Sequence, residues 1–212
     1  MIAHFHLQAP RVPVEHALGS PEAVMAPVQQ NFDQIRPLLS DAADLAQLDT
    51  LEHWAQSTYQ RLYPLLATRK ADGFIRECHG DIHLGNATLL DGEVVLFDCI
   101  EFNEPFRLTD IVADSAFLAM DLESRGLKAL ARRFVNRWLE LTGDYAALEL
   151  FNFYKAYRAW CAPRSICSAS VTSRMPPVRP PPWPNTAATP AWPNNTAPFP
   201  RASWPSPTVW QA

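Results

Sequence analysis

The sequence is poor in glycine. Seven occur in 212 residues, and none follows Gly143. Gly19, Gly73, Gly80, Gly85, Gly92, Gly126 and Gly143 never approach GxGxxG or GxxxxGK, so no stretch reads as a glycine-rich loop folded around phosphates. No window offers the ~18 apolar residues of a membrane span, so no membrane contact is expected. The start, Met1-Ile2-Ala3-His4-Phe5-His6, lacks a basic run followed by an apolar one, so it does not read as a secretory signal. Cys78, Cys99, Cys161 and Cys167 form no CxxC pair. Thiols this few and irregular point to a reducing cytoplasm rather than a disulfide scaffold. Charge of one sign is also missing: the formal net charge is -4, which gives no ground for a nucleic-acid partner.

Other absences divide the chain. No Asp or Glu follows Glu149, and most of the 20 prolines lie beyond Ala162. Residues 162–212 are Pro, Ala, Thr, Ser and Trp without period, and disorder is expected there. A Pro-rich interaction tail is one reading. Out-of-frame translation of a GC-rich gene is the other and the favoured one, because Trp is unusual in such tails and the preceding helix stops without a cap. Residues 1–161 are expected to form one ordinary domain.

Within that domain the spacing predicts a helix over 21–39, with Ser20 as cap and Pro21 at the first position. A longer helix is predicted over 43–68, with a kink at Pro64. The period then changes. Residues 74–78 read as a short strand. Residues 87–90 and 93–97 flank Asp91-Gly92, the strongest short-range hairpin signal, since both turn residues need positive φ. Helices are predicted again over 108–123, 127–141 and 145–160.

The stretch that carries chemistry is His79-Gly80-Asp81-Ile82-His83-Leu84-Gly85-Asn86, then the hairpin, then Phe97-Asp98. A two-residue turn brings the ends of the hairpin strands, Asn86 and Asp98, side by side, with Asp81 in the loop before them. An amide oxygen and carboxylates in one small volume suit Mg²⁺, a hard cation that bridges substrate phosphates. Phosphoryl transfer needs such ligands and a carboxylate for the proton of the attacking hydroxyl. Kinase catalytic loops place an Asn five residues after the catalytic Asp, with a metal-binding Asp on the next strand.

His79-Gly80-Asp81 with Asn86 and Asp98 resembles the aminoglycoside phosphotransferase and choline kinase-like family. The stretch from His79 to Gly126 is similar to a bacterial subgroup in which a phosphotransferase-like half precedes a P-loop ATPase half. The resemblance covers about residues 1–160 and is specific in its central third, including 95–103 and 110–123. It implies an α+β fold: the mainly helical large lobe of a protein kinase-like fold, with a catalytic β-hairpin. It implies Asp81 as catalytic base and His79 supporting the loop from behind. Asn86 and Asp98 would hold Mg²⁺ under the phosphates of ATP. Asp110 would be a supporting carboxylate that orders the loop, and Glu101 would touch metal or substrate or cap the following loop. The acceptor would be a hydroxyl of a small molecule. The family's N-terminal lobe, with its phosphate-covering loop and strand Lys, has no counterpart in these 212 residues. A truncated phosphotransferase is therefore expected, with a catalytically inactive binding or regulatory module as the alternative.

Other readings are weaker. Asp81-x-His83 is also a metallophosphoesterase spacing, but that class needs further ligands downstream and no His follows His83. His83 reads as a structural loop residue. His4, His6, His16 and His53 have no partners at metal spacing. Asp110 could instead cap the helix after it. Asp114 and Asp121 read as surface or helix-packing residues. Phe151, Phe153, Tyr154 and Tyr157 read as core.

Overall fold

A computed structural model of the chain describes residues 1–166, with side chains through Ala159. The Pro/Trp-rich segment, with both readings of it, lies outside the described residues beyond Ile166.

Helical periodicity governs most of the described chain. Helix α1 is Ile2–Gln8 and α2 is Pro21–Ile35, followed by a 3₁₀ turn at Arg36–Leu38. Ser20 Oγ accepts from the Ala23 N–H at 3.1 Å, with Pro21 in the first turn, as its sequence implies. Helix α3 is Ala42–Ala71, started by Asp41, which accepts from the N–H groups of Ala43 and Asp44. Its buried stripe is Leu48, Ala55, Tyr59, Leu62, Leu66 and Arg69. Pro64 lies inside it on the exposed face, and the helix continues past it to Ala71.

Strand β1 is Ile75–Glu77. After a 3₁₀ turn at Leu84–Asn86 come β2, Ala87–Leu90, and β3, Glu93–Leu96. These two form the expected hairpin, with Ala87 opposite Leu96. Asp91 (φ 52°) and Gly92 (φ 83°) both take positive φ, as a type I′ turn requires. Helix α4 is Glu104–Arg107, β4 is Leu108–Asp110, α5 is Ile111–Ser124 and α6 is Lys128–Thr142. A 3₁₀ turn at Tyr145–Ala147 leads into α7, Leu148–Ile166. Among the described residues the architecture is thus α+β and mostly helical, with two small antiparallel sheets, β1–β4 and β2–β3.

Three elements differ from expectation. Helix α1 was not foreseen; at seven residues it is too short to hold itself, and its buried Ala3 and His6 are anchored by packing on α6. The helix expected from residue 108 starts at Ile111, because Leu108–Asp110 pairs with β1 instead. Helix α7 runs to Ile166, so the compositional boundary at 162 falls inside it: composition records where apolar period ends, not where the backbone ladder stops.

Helix α5 occupies the centre, buried on nearly every side between α6 and α7. The main core gathers Phe32, Leu62, Ile111, Val112, Trp138 and Phe153 among others. A smaller cluster of Ile82, Leu96, Leu118, Leu122 and Ala131 seats the loop and hairpin on α5. The register Ile75 opposite Asp110 brings the start of α5 beside the strand that leads into the His79–Asn86 loop. Among the described residues no helix is long and apolar enough to cross a membrane.

Candidate functional site

The chain leaves β1 at Glu77 and turns through Cys78, His79 and Gly80. Gly80 has φ +83°, and a Cβ there would stand 2.9 Å from the Phe106 carbonyl oxygen, so both conformation and space demand glycine. Two consecutive N–H groups point inward. His79 N–H donates to Asp114 Oδ2 and Gly80 N–H to Asp114 Oδ1, each at 2.9 Å. Asp114 is fully buried one turn into α5. A buried carboxylate demands donors, and these backbone groups supply them.

The His79 ring braces the loop from the other side. Its Nδ1 accepts from the Asp81 N–H at 3.3 Å, which leaves the proton on Nε2, and Nε2 lies 3.0 Å from the Phe97 carbonyl oxygen. His79 thereby ties the loop to the far end of the hairpin. Its buried position and filled nitrogens fit support rather than contact with a reacting group.

The Asp81 carboxylate is partly exposed and accepts from Asn86 Nδ2 at 2.9 Å; the same nitrogen reaches the Asp81 carbonyl oxygen at 3.1 Å. With Nδ2 spent on Asp81, the amide oxygen of Asn86 is the atom left for a cation. His83 Nε2 lies 3.4 Å from Asp81 Oδ2, while its Nδ1 accepts from the Gly85 N–H at 3.0 Å and starts the turn that delivers Asn86. The Phe97 N–H donates to the Asn86 carbonyl oxygen at 3.0 Å. Asp98 is therefore one peptide beyond the hairpin's last bond to Asn86. It is exposed and holds φ +58°, a left-handed conformation that Asp tolerates better than most residues.

The structure thus gathers His79, Asp81 and Asn86 by direct hydrogen bonds and brings Asp98 to the same end of the hairpin. It does not put Asp110 there. Asp110 is buried under Arg69, whose Nε and Nη2 donate to it at 2.6 and 2.8 Å, and it accepts from the Val112 N–H at the start of α5. Arg69 also donates to Asp144 at 2.7 Å. Burial works against the charge of Arg69, but the two carboxylates outweigh it and hold the guanidinium protonated above its ordinary range. Asp110 is therefore a helix cap and one arm of a buried ion triad. The loop-ordering role expected of it belongs to Asp114, because the pairing of β4 with β1 turns Asp110 toward α3 and leaves the next turn of α5 facing the loop. Glu101 is exposed, with its carboxylate 3.8 Å from the Cys99 sulfur, and it meets neither Asp81 nor Asn86 through a hydrogen bond.

Comparison with known proteins gives relatives without an assigned activity. The chain is 33% identical over 159 residues to uncharacterized proteins of Mycobacterium tuberculosis, in two strains, and of Mycobacterium bovis. The match takes in 75% of this chain and 32% of each relative, so the chain spans about a third of their length. No family model matches, and no solved structure matches.

Several residues of the site escaped the sequence reading. Asp121 lies two turns along α5 from Asp114 and accepts from the Leu84 N–H at 2.9 Å, so one helix holds the loop at both ends. His6 and Trp138 stand behind Asp114. Trp138 Nε1–H donates to His6 Nδ1 at 3.0 Å, which leaves the His6 proton on Nε2, 3.4 Å from Asp114 Oδ2. A His6 ring nitrogen, Cys78 Sγ and an Asp114 oxygen lie within 4.8 Å of one another, all three residues buried. Hydrogen bonds account for this cluster without an ion: Cys78 Sγ–H reaches the Thr109 carbonyl oxygen at 3.4 Å, and burial pushes its thiol well above the usual range. One signal was present in the sequence. Asp114 and Asp121 stand seven residues apart in a largely apolar helix, and carboxylates so placed need donors from outside it.

Proposed function

We propose that the described residues form the helical lobe of a phosphotransferase of the aminoglycoside phosphotransferase or choline kinase-like type. It would move a phosphoryl group from ATP to a hydroxyl of a small molecule. The observation that carries this reading is the Asp81–Asn86 pair at 2.9 Å, on a loop whose backbone is clamped by a buried carboxylate.

Asp81 is partly exposed and fixed by Asn86, so its carboxylate is placed to accept a proton from an attacking hydroxyl. The donor set of Asn86 and Asp98, an amide oxygen and a carboxylate, fits Mg²⁺, and these two residues would hold it. When bound, that ion would offset the charge of the phosphate oxygens. His79 and Asp114 do no chemistry in this scheme. They fix the loop backbone, so that Asp81 pays little reorganisation when the acceptor arrives.

The alternative, a binding or regulatory module without turnover, rests on a sequence in which no glycines form a phosphate-covering loop. Calorimetry with Mg-ATP separates the two. Heat of binding at millimolar nucleotide is expected of the phosphotransferase, and its absence would remove that activity from this polypeptide. Where nucleotide binds, Asp81→Asn should lower turnover by ~100- to 10,000-fold, the usual worth of a general base, with nucleotide affinity nearly unchanged. Full turnover in that variant would sink the assignment of Asp81.

A further inference from the structure

Arg158, on α7, is a buried cation without a carboxylate. It is 6% exposed and surrounded by rings, with Phe117 at 4.9 Å and Tyr157 at 5.7 Å from ring centroid to guanidinium carbon. Its Nε has no hydrogen-bond partner, and among the described residues no carboxylate pairs with it. One turn earlier, the Tyr154 hydroxyl is also buried and unpartnered, with that side chain 3% exposed. The rest of the chain holds no acidic side chain to supply the want, since none follows Glu149. The other buried arginines differ. Arg69 is gripped by two carboxylates, and Arg76 donates to the carbonyl oxygens of Leu7, Ala9 and Gly73. An unpaired buried cation is costly, and a fold that keeps one beside a cavity is suited to a counter-charge from outside.

There is such a cavity. Arg158 and Tyr154 line a space of about 40 Å³ between α2, α4, β4 and α7, whose remaining walls include Pro27, Phe106 and Thr109. Among the described residues no carboxylate lines it. The space admits one small group and not a sugar ring. A guanidinium presents parallel N–H donors that match the two oxygens of a carboxylate or phosphate, and a phenol adds a third.

We propose that this cavity binds the oxyanion head, carboxylate or phosphate, of a small molecule through Arg158 and Tyr154. The site is independent of the Mg²⁺ ligand set, although Phe117 links the two regions: it carries Arg158 and packs against His83, whose ring faces Asp81. Anion binding at Arg158 does not depend on whether the loop transfers phosphate.

The test is thermal unfolding of the full chain in sodium acetate, sodium phosphate and sodium chloride at matched ionic strength. A saturable upward shift with acetate identifies a carboxylate site, and one with phosphate a phosphate site, because a ligand that binds only the folded state raises the midpoint. Arg158→Met should fold with no loss of stability, since an apolar group replaces an unpaired charge, and should lose the saturable part of the shift. Any shift it keeps is the general salt effect. A second measurement does not depend on that variant folding. The Arg158 Nε–H signal in nitrogen-15 spectra, assigned by its loss in Arg158→Lys, should move on titration with the active anion and not with chloride. Equal shifts in wild type and Arg158→Met, or an Nε–H signal unmoved by both anions, overturn the proposal. Neither result bears on Asp81→Asn, so the two readings fail separately.

Discussion

Asp114 shows how much can rest on one buried carboxylate. It receives two backbone N–H groups and faces the Nε2 side of His6, and among the described residues no arginine or lysine pairs with it. Removing it strands buried donors at His79, Gly80 and His6. Asp114→Ala should therefore cost about 3–5 kcal/mol of folding stability, the range for breaking a buried charged network. Asp121→Ala removes a bond to Leu84 N–H and an ion pair whose arginine is half exposed, and should cost about 1 kcal/mol or less. Urea unfolding of the two variants checks this. Equal losses would mean that the buried bonds of Asp114 contribute no more than those of Asp121. In sequence both aspartates read as surface or helix-packing residues, because their partners lie 34 to 37 residues away for the loop amides and 108 for His6.

At the level of elements, what was legible was local. The hairpin was readable because Asp91-Gly92 specifies its own turn, and α2 because Ser20 and Pro21 mark its start within three residues. Helix α6 ends as expected at Gly143, which takes φ +70° and open space around its missing Cβ. Gly143→Ala meets no atom there, so its cost is conformational alone: about 1 kcal/mol, with α6 frayed at its end. Hydrogen exchange at the last turn of α6, together with a urea midpoint, measures it; an unchanged midpoint would show that this cap contributes nothing. What was not legible depends on distant pairing. Leu108–Asp110 is too short to carry a period, and only β1 makes it a strand. The same pairing decided which aspartate meets the loop. The candidate site was thus readable in the residues Asp81, Asn86 and Asp98, and unreadable in the groups that hold the loop still.

Across the whole molecule, the elements meet at a shared polar seam inside an apolar interior. Arg69 joins α3 to the starts of α5 and α7 through Asp110 and Asp144, while Trp138 and His6 join α6 and α1 to Asp114. Two neutral acids sit beside this seam. Burial pushes the Cys78 thiol well above 9.0 and the Tyr154 phenol well above 10.0, and nearby Asp110 raises each further. A group whose pKa is higher in the folded state keeps its proton there after the unfolded chain has lost it. The stability tied to these groups is therefore complete below pH 9 and is lost as pH rises above the unfolded values. The unfolded state then binds fewer protons, and stability falls by up to about 1.4 kcal/mol per pH unit for each group. Urea midpoints from neutral pH into the alkaline range should decline from about pH 9 and steepen near 10. Cys78→Ala should remove the buried thiol's share of the first part of the decline, and Tyr154→Phe the buried phenol's share of the second, to which Tyr59 and Tyr63, also raised, contribute as well. An alkaline decline identical in the doubly substituted chain would mean that the seam's interior stays wet enough for both groups to ionise in place, and the account of Asp114 as a dry, backbone-bonded anchor would fall with it.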